Sequence, residues 1–321
     1  MLAVYAEAIN PDDPLAGLVV GERPAPEPPD GWASVEVRAA ALNHHDLWSL
    51  RGVGLAPERL PMILGCDAAG VDEDGNEVLV HAVVSSPGWR GDETLDPRRT
   101  LLSELYQGTL AQRLVVPRAN LVPKPPQLSF AEAACLPTAW LTAYRMLFTR
   151  GRVAPGQTVL VQGSSGGVAT ALITLASHAG VRVWATGRSD SKRALAAALG
   201  ADLVFEPGAR LPERVDAVMD TSGAATWSHS LRSLKPGGTL VIAGATGGDT
   251  PPAELTRIFF LQLSVVGSTM GTREELERLL QMVVRRHIEP PIGLRLPLRE
   301  ARAGFEAITR GETAGKIVFE V

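Results

Sequence analysis

One stretch constrains this chain more than any other. An apolar run, Thr158–Gln162, passes into a glycine-rich turn and straight on into a helical pattern. The turn reads Gly163-Ser164-Ser165-Gly166-Gly167-Val168-Ala169. Gly163 permits a tight reversal, while Gly166 and Gly167 let another molecule approach the backbone. The first N–H groups of the following helix have no partner within it and carry the positive end of its dipole. A strand, turn and helix of this kind attract a pyrophosphate, and Ala169 is small enough for the helix to pack on the strand. A glycine triplet alone would be a weak signal; its place between strand and helix makes it informative. Residues 158–200 therefore read as the core of a dinucleotide-binding domain.

The end of the next strand, 181–186, bears on which dinucleotide. An acid there would bind an adenosine ribose 2′-hydroxyl and repel a 2′-phosphate. The sequence continues Thr186-Gly187-Arg188-Ser189, with no acid at the strand end. Arg188 offers a planar fork for phosphate and Lys192 a second cation, while Asp190 suits the N-cap of the next helix. This favours NADPH; the plainer reading makes both cations solvated surface charges.

Around that core the chain divides by pattern. Residues 1–124 read as β-rich and irregular, punctuated by prolines and glycines, with 85–107 a polar surface lobe. Ser129 and Glu132 form a capping-box signal before helices at 131–136 and 141–149. From Thr158 onwards strands and helices alternate: helix 167–179, strand 181–186, helix 190–199, strand Val215–Asp220, helix 225–234 and strand 239–243. That alternation implies an α/β fold with a doubly wound parallel sheet. After Gly267 come a helix at 274–286, a proline-rich turn, a helix at 298–310 and a terminal strand at 316–321. With 45% hydrophobic and 21% charged residues and a net charge of −4, no nucleic-acid or anionic-membrane partner has electrostatic support. No apolar run is long enough to span a bilayer, and two cysteines make no disulfide framework, which fits a reducing cytoplasm.

Five segments together carry a family resemblance. They are residues 41–52 (from Ala41 through Asn43-His44-His45-Asp46 to Gly52), 61–70 (Pro61 through Gly65-Cys66-Asp67 to Gly70), 136–144 (Leu136 to Tyr144), the glycine turn, and Gly315-Lys316-Ile317-Val318-Phe319. On these the chain resembles the medium-chain dehydrogenase/reductase superfamily, in particular its zinc-less quinone oxidoreductase-like branch, over nearly its whole length. The resemblance implies a Rossmann cofactor-binding domain (125–266) inserted into a β-rich GroES-like catalytic domain (1–124 and 267–321), and a homodimer.

Zinc-containing relatives hold a catalytic metal where this chain has Asn43, Cys66 and Thr138, with Asp67 beside Cys66. Asn and Thr are poor zinc ligands, and 85–107 has no cysteines for a structural zinc, so no metal is expected at either place. Without a Lewis acid, alcohol oxidation becomes difficult, whereas an electron-poor quinone or α,β-unsaturated carbonyl still accepts hydride.

The resemblance places His45 where relatives relay a substrate proton, His44 near the pyrophosphate, and Asn43 near the nicotinamide ribose or acceptor carbonyl. The plain alternative is that these histidines satisfy local backbone groups, with Asp46 pairing with one of them. Cys66 and Cys135 read as packing. Beyond Gly163, Ser164, Ser165, Gly166, Gly167, Val168, Gly187, Arg188 and Lys192, the cofactor is expected to meet Thr142, Ser222, Gly244, Ala245, Thr269 and Met270, mostly at strand C-terminal ends. Trp48, Leu50, Trp140 and Met270 are expected to shape the acceptor pocket. The expectation is an NADPH-dependent, metal-free reductase of quinones or enones. The alternatives are an alcohol dehydrogenase or carbonyl reductase of the same superfamily and a non-catalytic nucleotide-binding sensor.

Overall fold

The N-terminal segments form strands, with alternating burial along the longest of them. In the computed structural model, which describes all 321 residues, these are β1 (Leu2–Ala6), β2 (Leu18–Glu22) and β3 (Trp32–Leu42). A seven-residue helix, α1 (His44–Leu50), follows directly. Then come β4 (Met62–Ile63), β5 (Asp67–Asp72), β6 (Glu77–Val80), β7 (Val83–Val84), β8 (Thr100–Leu101), β9 (Arg113–Pro117), β10 (Leu121–Pro123) and helix α2 (Phe130–Ala134).

The next stretch is wound differently. Helix α3 (Leu141–Tyr144) runs on into a π-helical turn, Arg145–Arg150, so the single α-helix expected over 141–149 is interrupted. Strand and helix then alternate: β11 (Thr158–Gln162), α4 (Gly167–His178), β12 (Arg182–Thr186), α5 (Asp190–Ala198), β13 (Leu203–Phe205), β14 (Val215–Asp220), α6 (Trp227–Ser233), β15 (Leu234–Ile242), α7 (Leu255–Phe260) and β16 (Ser264–Gly267). The chain ends with α8 (Arg273–Arg286), β17 (Ile292–Pro297), α9 (Ala301–Arg310) and β18 (Lys316–Glu320).

Two compact units result. The first joins Met1–Ala139 to Gly271–Val321, and the second is Trp140–Met270. Helix α2 packs on β3, β5 and β18, so the junction falls at Trp140 rather than near residue 125. The main sheet of the first unit runs β10-β6-β5-β3-β18-β17, with β9 also on β3; β17 and β18 are parallel and the other pairs antiparallel. Its core gathers Val35, Val37, Leu50, Leu64, Leu110, Phe305 and Phe319. Register sets Ala41 opposite Asp67 and Leu42 opposite Ile317, so the end of β3 and the starts of β5 and β18 lie together.

In the second unit six strands, all parallel, run β13-β12-β11-β14-β15-β16. Strand β11 is buried throughout, as a parallel strand covered on both faces must be. The doubly wound α/β expectation therefore holds. Two departures have plain causes. Strand β17 lies where a proline-rich turn was expected, because prolines 290 and 291 precede it, Pro297 is its last residue, and it pairs only with β18, at the sheet edge. The lobe 85–107 is not simply surface: Thr94, Asp96, Leu102 and Ser103 are buried.

Candidate active site

Five strand ends of the second unit's sheet carry the residues expected to hold a nucleotide. Because the strands are parallel, their C-terminal ends share one edge. Gly163 to Gly167 follow β11, Gly187 and Arg188 follow β12, Ser222 follows β14, Gly244 and Ala245 follow β15, and Thr269 and Met270 follow β16. Gly163 has φ +96°, a left-handed conformation that a side chain would strain. Its N–H donates to Thr186 Oγ1 at 3.0 Å, tying the turn to the end of β12. A Cβ at Gly163 or Gly166 would meet nothing within 4 Å, so the turn faces open space. Gly166 is the N-cap of α4 and supplies no side-chain acceptor to the helix N–H groups.

Ser164 lies almost fully buried with a hydroxyl that meets no protein partner. An open glycine turn, an uncapped twelve-residue helix and an orphaned hydroxyl fit a diphosphate. Thr142 is buried on α3, which packs on α4, and Val168 lies in the first turn of α4. Thr269 is exposed, whereas Met270 is buried with φ +47°.

Three residues differ from expectation around β12. Ser189, not Asp190, is the N-cap of α5 and accepts from the Lys192 N–H, because Asp190 is already the first helical residue. Asp190 instead pairs with Arg193, whose guanidinium also donates to the Gly187 carbonyl at 2.7 Å. Arg193 was not singled out from sequence, since it sits mid-helix. Arg188 is exposed, and its loop holds no acid. Asp220, also missed, is buried at the end of β14; its carboxylate accepts from the N–H groups of Ser222 and Gly223 and the hydroxyls of Thr226 and Ser230. It fixes the Ser222 loop.

The first unit contributes a separate polar cluster. Asn43 caps α1, where its N–H donates to Asp46 Oδ2 at 2.8 Å, while Asp46 Oδ1 accepts from Gly65 N–H at 2.9 Å. Asp46 thus anchors backbone at two points rather than only pairing with a histidine. The Asn43 amide is fully engaged: Nδ2 donates to Asp67 Oδ2 at 2.8 Å, and Oδ1 accepts from Lys316 Nζ at 2.6 Å. Lys316 also donates to Asp67 Oδ2 at 2.8 Å and the Leu42 carbonyl at 2.9 Å. Asp67 and Lys316 are 0% and 2% exposed, so this is a buried ion pair closed by an amide.

His45 stands beside it. Its Nδ1 lies 3.4 Å from Cys66 Sγ and its Nε2 3.1 Å from Glu104 Oε1. Burial by itself would lower the His45 pKa. The Cys66 sulfur, the Glu104 carboxylate and Asp46 outweigh it and hold the value well above 6.5. Burial raises the Cys66 thiol, which reaches the Leu102 carbonyl at 3.2 Å. Glu104 is held below the usual carboxylate range: burial opposes this, but hydrogen bonds from His45 and the Leu101 N–H prevail. No sequence pattern pointed to Glu104, which lies in an aperiodic lobe. His44 is exposed at the start of α1; crowding by the protein and the charges of Lys316 and Arg51 lower its pKa. Leu50 and Trp140 are both fully buried, Leu50 within the core of the first unit.

Comparison with known proteins accords with this architecture. Residues 29–126 match the alcohol dehydrogenase GroES-like domain family, and 167–285 the zinc-binding dehydrogenase family. A crystal structure of an NAD-dependent alcohol dehydrogenase superposes with TM-score 0.92 at 35% identity, covering 100% of both chains. The chain belongs to the medium-chain dehydrogenase/reductase superfamily.

Other members of the superfamily are similar at lower identity. An acryloyl-coenzyme A reductase from Metallosphaera sedula is 27% identical over 321 residues, 94% of this chain and 96% of the relative. The structure of a 2-octenoyl-CoA carboxylase reductase in complex with NADP and 2-octenoyl-CoA has TM-score 0.90 at 25% identity, covering 99% of this chain and 87% of that one. The chain is accordingly an NAD(P)H-dependent oxidoreductase with a Rossmann and a GroES-like domain. No helix is long and apolar enough to cross a membrane.

The name of one matched family raises the question of zinc. The positions Asn43, Cys66 and Thr138 do not fit it. Asn43 offers an amide whose oxygen and nitrogen are both taken, Thr138 offers a hydroxyl, and the buried ammonium of Lys316 already sits on Asn43 and Asp67. A second cation there would meet that ammonium.

Proposed function

We propose that this protein is an NADPH-dependent, metal-free reductase of quinones or α,β-unsaturated carbonyl compounds, acting as a homodimer. The observation that carries this reading is the buried ammonium of Lys316 seated on Asn43 Oδ1 and Asp67 Oδ2, a cation already in place there that favours acceptors needing no Lewis acid. The named substrates of the acryloyl- and 2-octenoyl-CoA reductases are acceptors of that class.

The glycine turn, with Ser164, Ser165 and the first turn of α4, binds the pyrophosphate. Arg188 and Lys192 favour a 2′-phosphate, and Arg193 steadies the Gly187 loop between them. His44, Thr142, Ser222, Gly244, Ala245, Thr269 and Met270 complete the cofactor contacts. The nucleotide, when bound, supplies a hydride for the electron-poor carbon of the acceptor. His45, held between Cys66 and Glu104, supplies the matching proton, so that hydride and proton together saturate the double bond or complete the quinol. Asn43 serves by fixing the helix start that carries His45.

A second reading, alcohol oxidation with NAD+, is favoured by the 35% identity to an NAD-dependent alcohol dehydrogenase. Purified protein offered NADPH or NADH with a panel of quinones, enones and enoyl thioesters, and NAD+ or NADP+ with alcohols, separates the two. Turnover of the conjugated acceptors with NADPH is expected. Turnover of alcohols alone would establish the second reading instead.

A further inference from the structure

The reductase chemistry above uses only His45 of the cluster His45, Cys66 and Asp46, with Cys66 beside it; the three donor atoms taken together have no counterpart there. A ring nitrogen, a thiol sulfur and a carboxylate oxygen, one from each residue, all fall within 4.8 Å of one another. We propose that this cluster is an inhibitory site for a thiophilic divalent cation of the Zn2+ or Cd2+ class. That an occupied site inhibits rests on the role of His45 proposed above; the binding itself does not.

The geometry matches such an ion. With Zn–S near 2.3 Å and Zn–N near 2.0–2.1 Å, a tetrahedral centre holds its sulfur and nitrogen ligands about 3.5 Å apart. Cys66 Sγ and His45 Nδ1 are 3.4 Å apart. Nε2 on the far side of the same imidazole meets Glu104 Oε1 at 3.1 Å. A carboxylate behind a ligating histidine fixes ring orientation and strengthens the nitrogen as a donor. Glu104 is itself held by the Leu101 N–H at 3.0 Å and Thr100 Oγ1 at 3.3 Å. Soft sulfur with imidazole selects Zn2+ and Cd2+ over Mg2+ or Ca2+, which want oxygen ligands. The set shares only Cys66 with Asn43, Cys66 and Thr138, so it does not compete with Lys316. His45 is partly exposed, its side chain 19% accessible, which gives an ion a way in. On binding, the thiol gives up its proton to solvent and becomes the thiolate ligand, and the imidazolium likewise releases its Nδ1 proton to solvent and binds as the neutral ring. A ring held in this way has no proton to deliver from Nδ1.

Binding is tested on the full-length, chelator-treated protein without nucleotide or acceptor, so its outcome is independent of the reductase assay. Cd2+ is expected to produce an ultraviolet thiolate-to-cadmium charge-transfer band at one equivalent, and Zn2+ to bleach it competitively. Cys66→Ser and His45→Gln should each abolish the band. Cys135→Ser should keep it, because that buried thiol has its pKa pushed up to about 12 and its sulfur reaches only the Ala131 carbonyl at 3.2 Å. Glu104→Gln should weaken Zn2+ binding about 10- to 100-fold with the one-to-one stoichiometry intact. Absence of the band in folded wild-type protein, or a band that survives Cys66→Ser, overturns the site. A bound ion that leaves NADPH oxidation unchanged, in protein that does reduce conjugated acceptors, overturns the inhibition alone.

Discussion

His81 is a buried histidine with neither ring nitrogen partnered by protein, and Arg273 lies close enough to repel a proton. Burial, with Arg273 adding to it, lowers its pKa from 6.5 to about 4. Above pH 6.5 the ring is neutral in both the folded and unfolded chain. As pH falls from 6.5 towards 4 the unfolded chain takes up a proton that the folded one refuses, so stability drops by about 3 kcal/mol over that window. His81→Leu should flatten this slope. Urea midpoints of the two proteins, measured between pH 7 and 4, should separate as pH falls, the wild type losing stability relative to the variant; parallel curves would refute the assignment. Arg188 tests a different single-residue claim. If its guanidinium meets a 2′-phosphate, Arg188→Ala loses a charge-assisted hydrogen bond of about 1.5–3 kcal/mol, roughly a 10- to 100-fold rise in KM for NADPH. KM for NADH should not move. An equal change for both nucleotides would make Arg188 a general surface charge.

At the scale of elements, three strand termini meet around one buried charge. Asn43 directly follows β3, Asp67 begins β5 and Lys316 begins β18, and the sheet register brings them together although 249 positions separate the acid from the base. Lys316→Met leaves the Asp67 carboxylate buried without its cation, which costs about 3–5 kcal/mol. Denaturant unfolding should show that loss, with partial recovery in Lys316→Met/Asp67→Asn, where no charge remains. A loss under 1 kcal/mol would mean that water reaches the pair. This network also marks how far sequence reading goes. The second unit was legible because its signals are local: β11, its turn and α4 follow one another between Thr158 and His178, and the strand Val215–Asp220 carries Val, Ala, Val and Met in six residues. Lys316 was seen only as part of a terminal motif, since nothing nearby says that its side chain turns inward. Glu104 and Arg193 were missed for the same reason. Their roles arise from contacts with His45 and the Gly187 carbonyl, made by folding rather than by spacing. Strand β17 was missed because its prolines mimic a turn.

For the whole molecule, the second unit leaves one sheet edge and an adjoining apolar group without cover. Strand β16 pairs only with β15, and its other side shows unpaired backbone groups. Val265 on that strand is exposed, and Leu255, Phe259 and Phe260 on α7 are 69%, 68% and 77% exposed. Burying a phenylalanine contributes about 1.5–3 kcal/mol, and in a twofold-symmetric dimer each residue of a shared patch is buried twice. Two phenylalanines per chain at such an interface would therefore supply much of the energy that holds a dimer together. Light scattering should give twice the 34.0 kDa chain mass for the wild type. Phe259→Asp/Phe260→Asp should shift it to a single chain mass with nucleotide affinity retained, because both side chains are exposed and lie outside the core. A wild-type protein that runs as a monomer at micromolar concentration would remove the homodimer from the proposal. A variant that stays dimeric would place the interface on a different face.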